Sequence, residues 1–245
     1  MKYAPEFEEL VAACCATNSY IGIGNPNAKI LFVGKEAAID HKEVEKTGYV
    51  SNAEEWQEII KGTRDNHLKI DEIPKSDYLR KAGITWRKYQ LLHDAIFQED
   101  PHRNGEGLTI DFMRHIFTTE MNDAPHKTTH EAQKKEDFQA NLKARRESFF
   151  SQQFIQNFPV VVLACSNYIK NHGEHREIND TFGVTFTEQR DIPGTNQRFW
   201  IHHSSDPKRP KLVIHCRQLS GAVHNDFLQE MGSVIRDYLR EERLF

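Results

Sequence analysis

Five polar residues stand where apolar runs of this chain end. Glu36 follows ILFVG, Asn122 follows IFTTEM, Ser166 and Asn167 follow VVVLAC, and His215 lies where LVIHC runs out. A carboxylate, a carboxamide and an imidazole at strand ends can converge on one crevice, because ligands of open α/β sheets bind beyond the carboxyl ends of the strands. Together they could stabilise positive charge, read an edge that both donates and accepts, and donate to a developing anion. Each has a plainer reading alone. Glu36 fits a helix N-terminal carboxylate, Asn122 a turn residue, and His215 a satisfied core histidine. The joint pattern is harder to ascribe to chance. The turn Gly34-Lys35-Glu36-Ala37-Ala38 has too little glycine for a phosphate loop and no cysteine for a redox loop.

Positioning such residues requires strands separated by helices. EFEELVAACCA reads as an amphipathic N-terminal helix, and AKILFVG is apolar enough for a strand buried on both faces. Residues 39–62 read as turn and helix, and ITWRKYQLLHDAIF (84–97) has apolar residues at helical spacing. FMRHIFTTEMN (112–122) is the next expected strand, followed by a charged helix over about 130–157 and the core strand PVVVLAC. VTFTEQRD and RFWIHHSS pair like a hairpin, KLVIHC (211–216) is the last core strand, and NDFLQEMGSVIRDYLREERL is the C-terminal helix. This alternation predicts a three-layer α/β/α fold with a parallel-rich sheet covered on both faces. A length of 245 residues favours a single domain over the whole chain, 1–245.

Bulk composition narrows the classes of function. No run of 18 apolar residues exists to span a membrane. The acidic start MKYAPEFEELVAACC lacks a signal-peptide pattern, and Cys14, Cys15, Cys165 and Cys216 form no disulfide framework or CxxC spacing, which together point to a reducing cytoplasm. A formal net charge of −4 does not announce a nucleic-acid binder. Local basic clusters exist at Lys143, Arg145 and Arg146, read as a solvated helix face, and at Lys208, Arg209 and Lys211, for which solvated face and phosphate contact stay open. The 13 histidines include His126, His130, His172, His175, His202 and His203 in polar stretches, but without a carboxylate-rich motif no metal is expected.

Taken in order, these strand ends resemble the uracil-DNA glycosylase superfamily. Gly34-Lys35-Glu36-Ala37-Ala38, with Gly24-Asn25-Pro26-Asn27-Ala28 before it, is similar to that superfamily's first motif (GQDPYH or GEAPG). Asn122 in TTEMNDAP is similar to its strand-terminal asparagine. VVVLACSNYI stands where the family has a strand such as VVLLWGNHA, and HCRQLS (215–220) matches HPSPLS at His215, Leu219 and Ser220. The resemblance runs over most of the chain, each motif being partly kept. It implies a glycosylase-like hydrolase that excises uracil or another damaged base from DNA, acting as a monomer without cofactor. Glu36 would stabilise the oxocarbenium-like sugar or orient water, and His215 would donate to the departing base. Asn122, Gly34, Lys35, Ser166, Asn167, Arg217 and Ser220 would bind the substrate, with Lys208 and Arg209 on the DNA backbone. Tyr49 and Trp56 are the nearest aromatics to stack on a flipped base. The departures are Ala37 for the first motif's proline, Lys35 for the glutamate of GEAPG, Cys216 and Gln218 for the two prolines of HPSPLS, and no cysteines in the segment that directly follows Asn122 for an iron–sulfur cluster. A non-catalytic nucleic-acid or nucleotide-binding module on the same fold, and a hydrolase of small nucleosides, are the competing expectations.

Overall fold

The structure, a computed structural model, describes residues 2–39, 49–65, 83–103, 108–171 and 176–245. In chain order the elements are α1 (Pro5–Thr17), β1 (Ile23–Gly24), β2 (Ile30–Gly34), α2 (Asn52–Lys61), α3 (Ile84–Phe97), β3 (Ile116–Glu120), α4 (Thr129–Gln133), α5 (Phe138–Ser148) and α6 (Gln153–Gln156). They continue as β4 (Val160–Leu163), α7 (Glu177–Phe182), β5 (Thr185–Asp191), β6 (Arg198–His203), β7 (Leu212–His215) and α8 (Asn225–Glu241).

Among the described residues the strands form one seven-stranded sheet, in the order β1-β3-β2-β4-β7-β6-β5. Four adjacent interior strands, β3, β2, β4 and β7, are mutually parallel, so Glu120, Gly34, Leu163 and His215 end on the same side of the sheet. An antiparallel β1 closes one edge, and the β5–β6 hairpin extends the other.

Alternation along the strands divides the core into two layers. Leu31, Val33, Phe117, Val161, Leu163 and Val213 face α1, α2 and the helices of 138–156. Ile30, Phe32, Ile116, Val160, Val162, Leu212 and Ile214 face α3 and α8. The central strands β2 and β4 carry no polar side chain, as a sheet covered on both sides favours. The α3–α8 contact needs a glycine, because a Cβ on Gly232 would lie 2.5 Å from that of Ala95. No helix among the described residues is long and apolar enough to cross a membrane.

Two expected elements are divided. Residues 112–114 form a 3₁₀ turn, and the strand starts at Ile116. The expected helix over 130–157 is three helices, α4, α5 and α6. At 100° per residue a straight helix would carry Phe150 and Phe154 roughly 100° or more away from Phe138 and Phe149. The break after Ser148 lets all four rings enter one core. Arg145, expected on a solvated face, is 4% exposed. Its guanidinium donates to the carbonyls of Tyr20 and Glu120 and to Thr119 Oγ1 and pairs with Asp123, riveting α5 to the end of β3.

Candidate functional site: a cleft at the ends of β4 and β7

The ends of β4 and β7 are stitched into one rigid wall. Cys216 N–H donates to the Leu163 carbonyl and Ser166 N–H to the Cys216 carbonyl, at 3.0 and 3.1 Å. Ser166 adopts φ = 50°, a left-handed conformation costly for a residue with a side chain. The bend opens a 3₁₀ turn over Ser166–Tyr168. Two further bonds hold Ser166 there: its Oγ accepts from Gln218 N–H at 2.9 Å, and its carbonyl accepts from His215 Nε2 at 2.7 Å. A carbonyl can only accept, so Nε2 of His215 carries the proton in this bond. His215 is 5% exposed, and its ring stacks on Trp200 of β6 at 5.4 Å with a 28° interplanar angle.

Beside this wall lies a cleft of about 690 Å³. Ser166, Asn167, His215, Arg217 and Ser220 all line it, so five of the residues expected to act together do meet. The β5–β6 hairpin and its turn complete the cleft with Asn196, Gln197, Arg198 and Trp200. Among the described residues no aspartate or glutamate lines it. Arg198 is paired with Asp191 at 3.2 Å, whereas Arg217 is exposed and makes no ion pair among the described residues.

The other expected residues lie beside β2 and β3 instead. Glu36 does not line this cleft. Its Oε1 accepts from Thr129 Oγ1 at 3.0 Å, and its Oε2 accepts a short hydrogen bond from the Tyr168 hydroxyl. It thereby ties the start of α4 to the 3₁₀ turn whose Asn167 lines the cleft. Lys35 is 8% exposed with its ammonium 4.8 Å from the centre of the Tyr168 ring, and burial lowers its pKa against the opposing pull of Glu36. Asn122 behaves as a turn residue: its Oδ1 accepts from Ala124 N–H, and its own N–H donates to the Lys35 carbonyl at 2.7 Å. Gly34 makes room for Glu120, since a Cβ there would sit 2.1 Å from Glu120 Oε2 and the carboxylate would have to shift. That oxygen is buried without a hydrogen-bond partner, and burial first, then Glu36, raise the Glu120 pKa to about 8 against the pull of Arg145.

Lys208 and Arg209 occupy the turn that leads into β7, at the amino end of the parallel strands and so opposite the cleft. The two aromatics nominated for stacking are also elsewhere. Trp56 is fully buried, donating Nε1–H to the Gly22 carbonyl, and Tyr49 stacks on Tyr20 at 4.1 Å. The cleft's aromatic is Trp200, and the alternation of RFWIHH carried that signal: Phe199 and Ile201 enter the core, which turns Trp200 to the opposite face. His172 and His175 lie outside the described residues.

No protein-family model, curated protein or solved structure matches this chain. The cleft's own chemistry therefore has to indicate its occupant. Among the described residues it offers one guanidinium without an ion pair, an indole, several side-chain amides and no acid. Such a surface favours an anion that carries a planar, hydrogen-bonding group.

Proposed function

We propose that the protein binds a nucleotide, free or within a DNA strand, in the cleft between the ends of β4 and β7. One observation carries this reading: among the described residues, a base-sized cleft holds Arg217, which makes no ion pair there, and the side chain of Trp200 together, with no carboxylate in its lining. Arg217 is the phosphate contact, and Trp200 is the surface on which a base packs. Asn167, Asn196 and Gln197 supply donors and acceptors for its edge. The partner is DNA in line with the resemblance, and the fold is uracil-DNA glycosylase-like in the same sense.

A second reading, base excision, draws on the two carboxyl groups at neighbouring strand ends, Glu36 and Glu120, of which Glu120 has a raised pKa. Against it, Glu36 is occupied by two hydroxyls and lies outside the cleft, and the His215 Nε2 proton is committed to a main-chain carbonyl.

Fluorescence anisotropy with single- and double-stranded oligonucleotides, at several salt concentrations, tests the binding reading. Binding that weakens with salt and is lost with Arg217→Ala supports it; equal binding by the two proteins sinks it. The same oligonucleotides carrying uracil, hypoxanthine or xanthine, treated with alkali after incubation, report excision separately as strand cleavage.

A further inference from the structure

At the other end of the molecule, on the α3 side of the sheet, two histidines and a glutamate meet. Among the described residues one ring nitrogen each of His93 and His115 and a Glu99 carboxylate oxygen all lie within 4.8 Å of one another. We infer that these three side chains form a binding site for a divalent transition-metal ion of the zinc class.

The orientation of His93 is the first argument. His93 is 1% exposed, and its Nδ1 lies 3.0 Å from Oδ1 of Asp94. A carboxylate accepts, so the proton sits on Nδ1 and Nε2 presents a lone pair. That is the carboxylate–histidine arrangement that fixes tautomer and ring direction in metal sites. Asp94 is itself held, because the same Oδ1 accepts from Gln90 Nε2 at 2.8 Å and from Arg103 at 3.1 Å.

The second argument is the place at which the lone pair points. His93 Nε2 is 2.9 Å from Nδ1 of His115, with the rings only 3° from parallel. A proton on His115 Nδ1 bridges the two nitrogens, and it is this proton that a metal would displace. Two nitrogens on a tetrahedral ion, each at roughly 2.05 Å, stand about 3.4 Å apart. His115 therefore has to retreat by about 0.5 Å, which its exposed position at the surface permits. Phe97 packs against both rings, at 4.8 and 4.7 Å, and gives the pair an apolar wall.

Glu99 supplies the third ligand class. Arg103 Nε holds its carboxylate at 3.1 Å, so the group is placed before any ion arrives. Asp94, Glu99 and Asp111 together face Arg103 and Arg114, leaving one net negative charge among these five groups to receive a cation. Two imidazoles and one carboxylate suit zinc, with water as the fourth ligand. Because the ligands come from α3, the residue after its αL cap, and the turn before β3, the ion would brace that helix against the sheet. This site stands apart from the cleft and from any reading of it.

The test is calorimetric titration of Zn²⁺ into the full chain after treatment with a chelator and dialysis, with a competing chelating dye to bound the affinity. One equivalent should bind, and a hundredfold excess over Kd should raise Tm by about 5–10 °C. His115→Ala should weaken binding about 100-fold or more, and Glu99→Gln about tenfold. Both substitutions lie outside the fully buried core, and circular dichroism would verify that the variants remain folded. No binding by the wild-type chain would overturn the proposal. So would one equivalent bound equally well by His115→Ala, which would assign the ion to another histidine.

Discussion

Glu120→Gln should remove a pH dependence that the wild-type fold carries. In the folded chain the Glu120 carboxyl lies over Gly34 with Oε2 buried and unpartnered, and burial together with Glu36 holds its pKa at about 8 against an ordinary 4.5. Between those values the folded state keeps a proton that the unfolded chain has released. Stability from this group is thus complete below about pH 4.5 and is lost as pH rises through 8. Each pH unit in the window costs about 1.4 kcal/mol, and the whole span sets an upper bound of about 4–5 kcal/mol. Part of the residue reaches solvent, which screens the charge and brings the expectation to roughly 3 kcal/mol. Glutamine keeps the shape and never ionises. Urea unfolding followed by tryptophan fluorescence at pH 5, 6, 7 and 8.5 would show the wild-type protein losing roughly 3 kcal/mol relative to the variant across the series. A wild-type-minus-variant difference that stays flat, or that grows in favour of the wild type as pH rises, would refute the buried, protonated carboxyl.

The cleft and the strand ends yield three further expectations. Arg217→Ala should lower oligonucleotide affinity about tenfold and reduce the slope of log K against log salt by about 0.7, the loss of one phosphate contact on a single strand, as read by anisotropy. Glu36→Gln leaves one oxygen to accept where two now do, so either Tyr168 or Thr129 loses its acceptor. A loss of about 1–2 kcal/mol, seen as a Tm lower by roughly 3–6 °C, is expected, whereas unchanged melting with strand cleavage reduced 100-fold would restore Glu36 to a catalytic role. Gly34→Ala should destabilise by about 1 kcal/mol by driving a methyl against the Glu120 carboxylate and forcing it aside, and the same change in a Glu120→Ala background should cost less. Additive losses in that cycle would mean that the clash lies elsewhere.

The sheet was legible because its signal is local. Four apolar runs, closing at Gly34, near Asn122, at Cys165 and at His215, announced interior strands, and helical spacing between them required parallel neighbours with a common carboxyl end. The convergence of Ser166, Asn167, His215, Arg217 and Ser220 was legible for the same reason, since adjacent parallel strands deliver their following loops to one place. Side-chain direction was not. Glu36 follows β2 directly, yet which way it points depends on hydroxyls supplied by Thr129 and Tyr168, 93 and 132 residues further along the chain. Nothing in GKEAA encodes those partners. Arg145 misled for a related reason: three charged residues within four positions look solvated until the break after Ser148 turns the helix and the end of β3 offers its carbonyls.

The two sites also differ in how sequence could have revealed them. His93 and His115 are separated by 22 positions, so no spacing rule joins them. Their relation follows from tertiary packing, which puts the last turns of α3 beside the residue preceding β3. The cleft, by contrast, owes the absence of acids among its described lining residues in part to chain order: Glu188 and Asp191 lie on the edge strand β5, while β6 lies between that strand and β7 and presents Trp200 toward His215. The edge strand keeps its carboxylates in solvent, paired with Arg190 and Arg198, where they neutralise the hairpin without entering the cleft. Arg217 thereby remains the cation that an incoming phosphate meets. An overall charge of −4 is compatible with anion binding on these terms, because the sheet order separates the acids from the cleft while the φ = 50° bend at Ser166 holds its floor in place.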